Sequence, residues 1–132
     1  MPHIVIEYSA NLESRLDVPG LVRAVHETAV GTGVFPLGGI RTRAARRDIY
    51  RVADGNPENA FVHMVARIAS GRDLATRKRV GESLFATLCD RLTGVYDSTP
   101  LGISFEIQEI DPDTSWKKNN LHERLKAQGV VS

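Results

Sequence analysis

The sequence predicts an α+β fold in which two similar β-α-β units form one four-stranded sheet with two helices on one face. Two observations support this prediction. Apolar and polar residues alternate near residues 3–8 and 103–107, as is typical of strands. The order strand, helix, strand also occurs on both sides of a turn-rich segment at residues 54–57. Strands joined by a long crossover can pair in parallel, which places the helices against the sheet.

The first unit covers about residues 1–57 and begins with a strand at residues 3–8. A helix is predicted to start at Asp17, because a proline in the first turn and apolar residues at helical spacing follow it. Gly31 and Gly33 are expected to end this helix. Residues 40–53 have an extended but irregular pattern, which predicts the second strand of the unit.

The second unit covers about residues 58–111 and repeats this plan. A largely apolar strand is predicted at residues 61–68. A helix of about six turns follows, and its N-terminus can be capped by Ser70 or Asp73. Alternation at residues 103–107 then predicts the last strand of the sheet.

The chain is expected to form a single domain, residues 1–132, with a polar C-terminal tail at residues 112–132. One short helix is predicted in the tail, around residues 120–127. Two helices cover only one face of a four-stranded sheet, and the chain has too few other elements to cover the second face. We therefore expect the protein to form an oligomer.

Composition narrows the classes of partner and compartment. The 17 Lys and Arg residues nearly balance the 16 Asp and Glu residues, whereas general nucleic-acid binders are usually more basic. No apolar run approaches the roughly 18 residues of a membrane span, and the chain shows no apolar leader segment before its first strand. The single Cys89 cannot form an intrachain disulfide. We therefore expect a cytoplasmic protein with neither nucleic acid nor membrane as a partner.

Pro2 stands between the initiator methionine and the first strand. Initiator methionine is generally removed when the next residue is small, and Pro2 would then carry the N-terminal amine. An α-amino group titrates near ~8, and burial lowers its pKa further. The result is a neutral base at physiological pH, as general acid–base catalysis requires. The alternatives are a purely structural proline at the start of a strand, or a Pro2 nitrogen that a retained Met1 keeps as a non-basic amide.

The chain resembles the 5-carboxymethyl-2-hydroxymuconate isomerase family of the tautomerase superfamily. The similar segments share their order and spacing across residues 2–122. They are Met1–Asn11, Gly33–Arg41, Phe61–Met64, Gly71–Arg72 and Ser104–Ile107.

This resemblance implies a tautomerase-like fold, a homotrimer and a catalytic Pro2. It also implies that Arg41 and Arg72 bind the carboxylates of the substrate, and that no cofactor takes part. A guanidinium is always charged and can hold a carboxylate by two parallel hydrogen bonds. Arg43 is the alternative candidate to Arg41 as a carboxylate ligand, because two residues that are two positions apart in a strand project from the same face of the sheet.

Other side chains complete the predicted site. Phe35 and Trp116 are candidate apolar walls for the carbon skeleton of a substrate. The four histidines lack the spacing of metal ligands, and with one cysteine no metal site is expected. The glycine pairs match neither a dinucleotide-binding nor a phosphate-binding motif.

The resemblance and these residues together predict a cofactor-independent isomerase. Its substrate would be the dienol polycarboxylate 5-carboxymethyl-2-hydroxymuconate, which it would convert to the 2-oxo isomer with Pro2 as general base. Two alternatives remain open. One is another proline-based activity, such as keto–enol tautomerisation of arylpyruvates, and the other is a trimeric binding module without catalysis.

Overall fold

A computed structural model describes residues 1–130 of the chain. Residues 131 and 132, the end of the predicted tail, lie outside the described residues. Within the described range, the strands and longer helices are β1 (His3–Ser9), α1 (Val18–Gly31), β2 (Arg41–Arg47), β3 (Ala60–Ala69), α2 (Leu74–Tyr96), β4 (Leu101–Ile110) and α3 (Leu121–Ala127). No helix in that range combines the length and the apolar character that a membrane crossing needs.

The four strands form one mixed sheet in the order β2-β1-β3-β4. β1 and β2 pair in parallel, as do β3 and β4, while the central pair of β1 and β3 is antiparallel. Each predicted β-α-β unit therefore contributes one parallel pair, and the two units meet at the centre of the sheet. The predicted α+β architecture is confirmed.

Both main helices start at an aspartate that caps the first turn. The Asp17 carboxylate accepts a hydrogen bond from the Gly20 N–H at 3.1 Å, and the Asp73 carboxylate accepts one from the Thr76 N–H at 2.8 Å. A side-chain acceptor at this position satisfies an N–H that has no partner inside the helix. Of the two caps predicted for α2, the structure uses Asp73 and not Ser70.

One face of the sheet packs against α1 and α2 and forms the core. Alternate residues of β1 and β3 point to this face and are fully or almost fully buried, as the two-residue period of a strand requires. They meet the apolar sides of both helices in a single cluster. Its largest fully buried side chains include Ile4, Ile6, Val62, Met64, Leu21, Val25, Leu84 and Leu88.

The opposite face of the sheet carries polar and half-exposed side chains and has no helix over it. His63 lies there beside β4, with its Nδ1 atom 2.6 Å from the Ser104 hydroxyl. Glu7 on β1 accepts a hydrogen bond from Arg47 on β2 at 2.5 Å. We call this surface the open face of the sheet. Its existence follows from having only two crossover helices, both of which lie on the other side.

The strand directions bring one end of each of the four strands to the same edge of the sheet. The first residues of β1 and β2 lie there, since His3 pairs with Arg41. The last residues of β3 and β4 lie there too, since His3 also pairs with Arg67 and Arg67 pairs with Gln108. The N-terminus of the chain therefore meets the start of α2 and the tail that follows β4.

Candidate active site

A cavity of about 470 Å³ opens at this edge of the sheet, around the N-terminus. Its walls come from four parts of the chain that are distant in sequence. The residues that matter most for its chemistry are Pro2, Phe35, Arg72, Lys117, Asn119 and His122. Three of them, Pro2, Phe35 and Arg72, were site candidates from the sequence.

Pro2 is buried at the base of this cavity. Its carbonyl accepts a hydrogen bond from the Arg41 N–H at 3.0 Å, which extends the pairing of β1 and β2 by one residue. A Cβ atom on Gly39 would lie 3.5 Å from the Pro2 Cδ atom, so the turn before β2 packs directly against the proline ring. The nitrogen of Pro2 is thereby held in place by backbone on two sides.

Arg72 reaches the cavity from the short link between β3 and α2. Gly71 has a φ of +109°, a conformation that favours glycine, and it turns the chain so that Arg72 follows. The Arg72 guanidinium donates hydrogen bonds to the carbonyls of Ala69 at 3.2 Å and Val34 at 3.4 Å. It also stacks on Phe35, with its central carbon 5.0 Å from the ring centroid. Arg72 is thus held between two loops.

Arg41 and Arg43 both project from the open face of β2, but only Arg41 lies beside Pro2. The Arg41 guanidinium donates a hydrogen bond to the Gly38 carbonyl at 2.9 Å. Arg43 is one residue pair further along the strand, and its guanidinium lies 3.1 Å from the His3 Nδ1 atom. Burial and the nearby charge of Arg43 lower the pKa of His3. Arg41 is therefore the nearer of the two arginines to Pro2, although neither side chain lines the cavity.

The cavity is electrostatically positive around the N-terminal amine. With Met1 in place, burial lowers the pKa of its amine, and the charges of Lys117, Arg41 and Arg72 lower it further. Burial and nearby cations both disfavour the protonated form of an amine. If Met1 is removed, the amine moves to Pro2, one residue deeper among the same groups.

The C-terminal tail supplies one side of the cavity through Lys117, Asn119 and His122, which were not site candidates from the sequence. The Asn119 amide donates a hydrogen bond to the Gly38 carbonyl at 2.9 Å. α3 packs on the same turn, and a Cβ atom on Gly38 would lie only 2.7 Å from the His122 Nδ1 atom. A glycine at position 38 is thus what allows the tail to approach. Lys117 lies in the same stretch of tail and faces the cavity.

Trp116 does not share a wall with Phe35. Its side chain is 87% exposed and lines a second cavity of about 520 Å³ on the other side of the N-terminus. The two cavities adjoin, because Met1, Ala69 and Lys117 line both of them. The sequence placed both aromatic rings in one pocket, whereas the tail carries Trp116 to the neighbouring cavity.

Metal ligation has no candidate here. Within residues 1–130, no group of three or more His, Cys, Asp or Glu side chains is placed so that it could hold a metal ion. The polar groups of the first cavity are cationic or neutral, a set that suits an anionic ligand.

The fold that places this cavity at the N-terminus of β1 also occurs in other solved structures. A fused 4-OT symmetric trimer shares the fold with a TM-score of 0.61 over 88% of this chain and 93% of that chain, at 16% identity.

Comparisons at higher sequence identity identify the family to which the chain belongs. The family model for 5-carboxymethyl-2-hydroxymuconate isomerase matches residues 2–125, and the chain belongs to this family. A 5-carboxymethyl-2-hydroxymuconate Delta-isomerase from Escherichia coli is 40% identical over 126 residues, which cover 96% of this chain and all of that protein. The resemblance seen in the sequence is confirmed, and the protein is an isomerase by family.

Two solved structures agree with this result. A 5-carboxymethyl-2-hydroxymuconate isomerase from Deinococcus radiodurans R1 has a TM-score of 0.87 and 39% identity, covering 93% of this chain and 92% of that one. A 5-carboxymethyl-2-hydroxymuconate delta-isomerase has a TM-score of 0.89 and 28% identity, covering 95% and 93%.

Proposed function

We propose that this protein converts 5-carboxymethyl-2-hydroxymuconate to its 2-oxo isomer, without a cofactor, and that the N-terminal amine of Pro2 is the base. The observation that carries the proposal is the place of Pro2, buried at a cavity that Lys117 and Arg72 line, with the charge of Arg41 also acting on the N-terminal amine. The substrate is taken from the name of the Escherichia coli relative, which is 40% identical.

The proposed reaction consists of two proton transfers. The neutral Pro2 nitrogen takes the proton of the 2-hydroxyl group of the dienol, and the electron pair of that bond forms the 2-oxo group. The conjugated double bonds shift, and the protonated amine returns one proton to a carbon atom. Atoms and electrons balance within the substrate and the amine, so the reaction needs no redox partner.

The arginines have two roles in this proposal. Arg72 and Arg41 bind carboxylates of the substrate and hold it over Pro2. Their charge also stabilises the negative charge that develops on the substrate oxygen as the hydroxyl proton leaves. Phe35, which supports the Arg72 guanidinium, provides an apolar wall for the carbon chain.

We further propose that the protein is a homotrimer, in which neighbouring copies cover the open face. The support is the half-exposed surface of β1 and β3 on that side, which includes the apolar side chains of Val5, Phe61 and Val65. A structure with the same fold is described as a symmetric trimer. The single Cys89, which leaves no intrachain disulfide to form, supports a cytoplasmic location.

The decisive experiment compares protein with and without Met1, each verified by intact mass. Disappearance of the dienol chromophore of 5-carboxymethyl-2-hydroxymuconate would be followed in a metal-free buffer. We expect turnover only by the processed protein, because acylation by Met1 removes the basicity of the Pro2 nitrogen. Pro2→Ala, also processed, should retain reduced activity, since it keeps an amine that is primary and more mobile.

Two results would contradict the proposal. Equal turnover by protein that retains Met1 would exclude the Pro2 amine as base. Faster tautomerisation of an arylpyruvate enol than of the hydroxymuconate by the processed protein would assign a different substrate to the same base.

A further inference from the structure

We propose that Lys117 binds the carboxymethyl carboxylate of the substrate, and that the second cavity is the subsite for this group. The inference rests on the proposed function, since it assigns a binding residue to the third carboxylate of that substrate. It makes Lys117 a specificity residue, which separates substrates with three carboxylates from those with two.

The two cavities form a pair around the N-terminus. The first contains Pro2 and Arg72, and the second contains Arg67 and Trp116. Lys117 lines both, so its ammonium group stands at the boundary between them. A ligand that reaches from Pro2 into the second cavity must pass this side chain.

Met1 occupies the same boundary, because it also lines both cavities. Removal of Met1, which the proposed function requires, therefore has two effects. It frees the Pro2 nitrogen, and it takes away a side chain that lies between the two cavities. In the processed protein the cavity that contains Pro2 would then be continuous with the second cavity.

The charges fit a substrate with three carboxylates. Arg41 and Arg72 account for two of them near Pro2, and Lys117 is a third cation at the boundary. None of the salt bridges within residues 1–130 involves any of these three cations. Their charge is therefore available to an anionic ligand.

The second cavity contains one acidic residue and one further cation. Asp111 lines it, and its carboxylate accepts a hydrogen bond from the Asp113 N–H at 2.9 Å. Arg67 lines the same cavity and offsets this charge. The exposed ring of Trp116 gives the cavity an apolar side that suits the methylene of a carboxymethyl group.

Lys117 also lowers the pKa of the N-terminal amine. Among the charged side chains that lower the pKa of the N-terminal amine, its effect is the largest. This effect agrees with the position of Lys117, which lines the same two cavities as Met1.

The test compares two substrates on processed protein. 5-Carboxymethyl-2-hydroxymuconate has three carboxylates, and 2-hydroxymuconate lacks the carboxymethyl group. Lys117→Met should raise KM for the first substrate about tenfold, the effect of losing one charged hydrogen bond, and change KM for the second by less than about twofold. Lys118→Met is the matched control, because Lys118 lines neither cavity. Lys117→Arg should restore most of the affinity, since it restores the charge.

Failure of the inference can be told apart from failure of the proposed function. If Lys117→Met changes KM for both substrates equally, or for neither, Lys117 does not bind the third carboxylate. If the parent protein turns over neither substrate, the proposed function fails. Calorimetry with propane-1,2,3-tricarboxylate and glutarate then still tests the subsite. Only the tricarboxylate should bind more weakly to Lys117→Met, and an equal loss would overturn the inference.

Discussion

The guanidinium carbon of Arg72 lies 5.0 Å from the centre of the Phe35 ring, so a cation and an aromatic face are stacked at the wall of the site. Carbonyl groups of Val34 and Ala69 accept hydrogen bonds from the same guanidinium. Two of its five N–H donors are thus in use, and its plane is fixed by the ring. A cation positioned in this way loses little conformational freedom when it binds a carboxylate.

Arg72→Ala should lower kcat/KM by the equivalent of about 2–4 kcal/mol, through both a higher KM and a lower kcat. The carboxylate loses its partner, and the charge developing on the oxygen loses a stabilising cation. Steady-state kinetics on processed protein would measure both constants. Arg79→Ala is the control, because Arg79 is exposed on α2 and bonds only the Thr32 carbonyl. Equal kinetics for the two variants would place the substrate elsewhere.

Arg41→Ala should impair catalysis, whereas Arg43→Ala should not. Arg41 lies beside Pro2 and acts on the N-terminal amine, while Arg43 is directed to His3. Both variants remove one arginine from the same face of β2, so they form a matched pair. We expect kcat/KM to fall at least tenfold for Arg41→Ala and less than about twofold for Arg43→Ala. The reverse order would show that Arg43 is the ligand.

The pH profile should report the Pro2 amine. With Met1 present, burial and three cations lower the pKa of its amine from the ordinary value of 8.0. We expect the same groups to lower the pKa of the Pro2 amine after Met1 is removed. The free base is the active form, so kcat/KM should fall as pH decreases through a pKa below 8.0 and level off above it. Arg72→Ala should move the inflection to higher pH, because a cation that disfavours protonation is lost. An inflection above 8.0 that the variant does not move would exclude this amine.

Gly38→Ala should disturb the tail side of the site. Its Cβ atom would lie 2.7 Å from the His122 Nδ1 atom, closer than real Cβ contacts allow, so the His122 side chain or α3 must shift. We expect a higher KM with little loss of secondary structure by circular dichroism, since α3 lies outside the core cluster. Gly31→Ala is the control, because a Cβ there meets nothing within 4 Å. A KM like that of the parent protein would mean that the tail does not contribute.

Native mass spectrometry at micromolar concentration should report about three chains. Val65→Asp should weaken this assembly, because Val65 lies on the open face and a buried carboxylate without a partner is costly. Val30→Asp places the same charge on the exposed side of α1 and should leave the trimer intact. A stable and fully active monomer would contradict the proposed trimer.

Most of the fold could be predicted from local pattern. The strand at residues 3–8 extends to Ser9, and the helix expected after Asp17 ends at Gly31. These elements follow from short-range rules, namely side-chain alternation, an aspartate cap and glycine at a helix end. β2 was the least regular prediction, because it is an edge strand whose arginines are only partly buried and give no apolar alternation.

The sequence by itself determined the strands and helices, the two β-α-β units, and the candidates Pro2 and Arg72 through their family motifs. Only the strand register of the tertiary structure places Arg41 beside Pro2 and Arg43 further along the same face, which is the basis for proposing Arg41 as the ligand. It also brought Lys117 to the N-terminus and moved Trp116 to the second cavity. The physical reason is that the tail binds at Gly38, some eighty residues earlier, through a backbone contact that leaves no periodic pattern in the sequence.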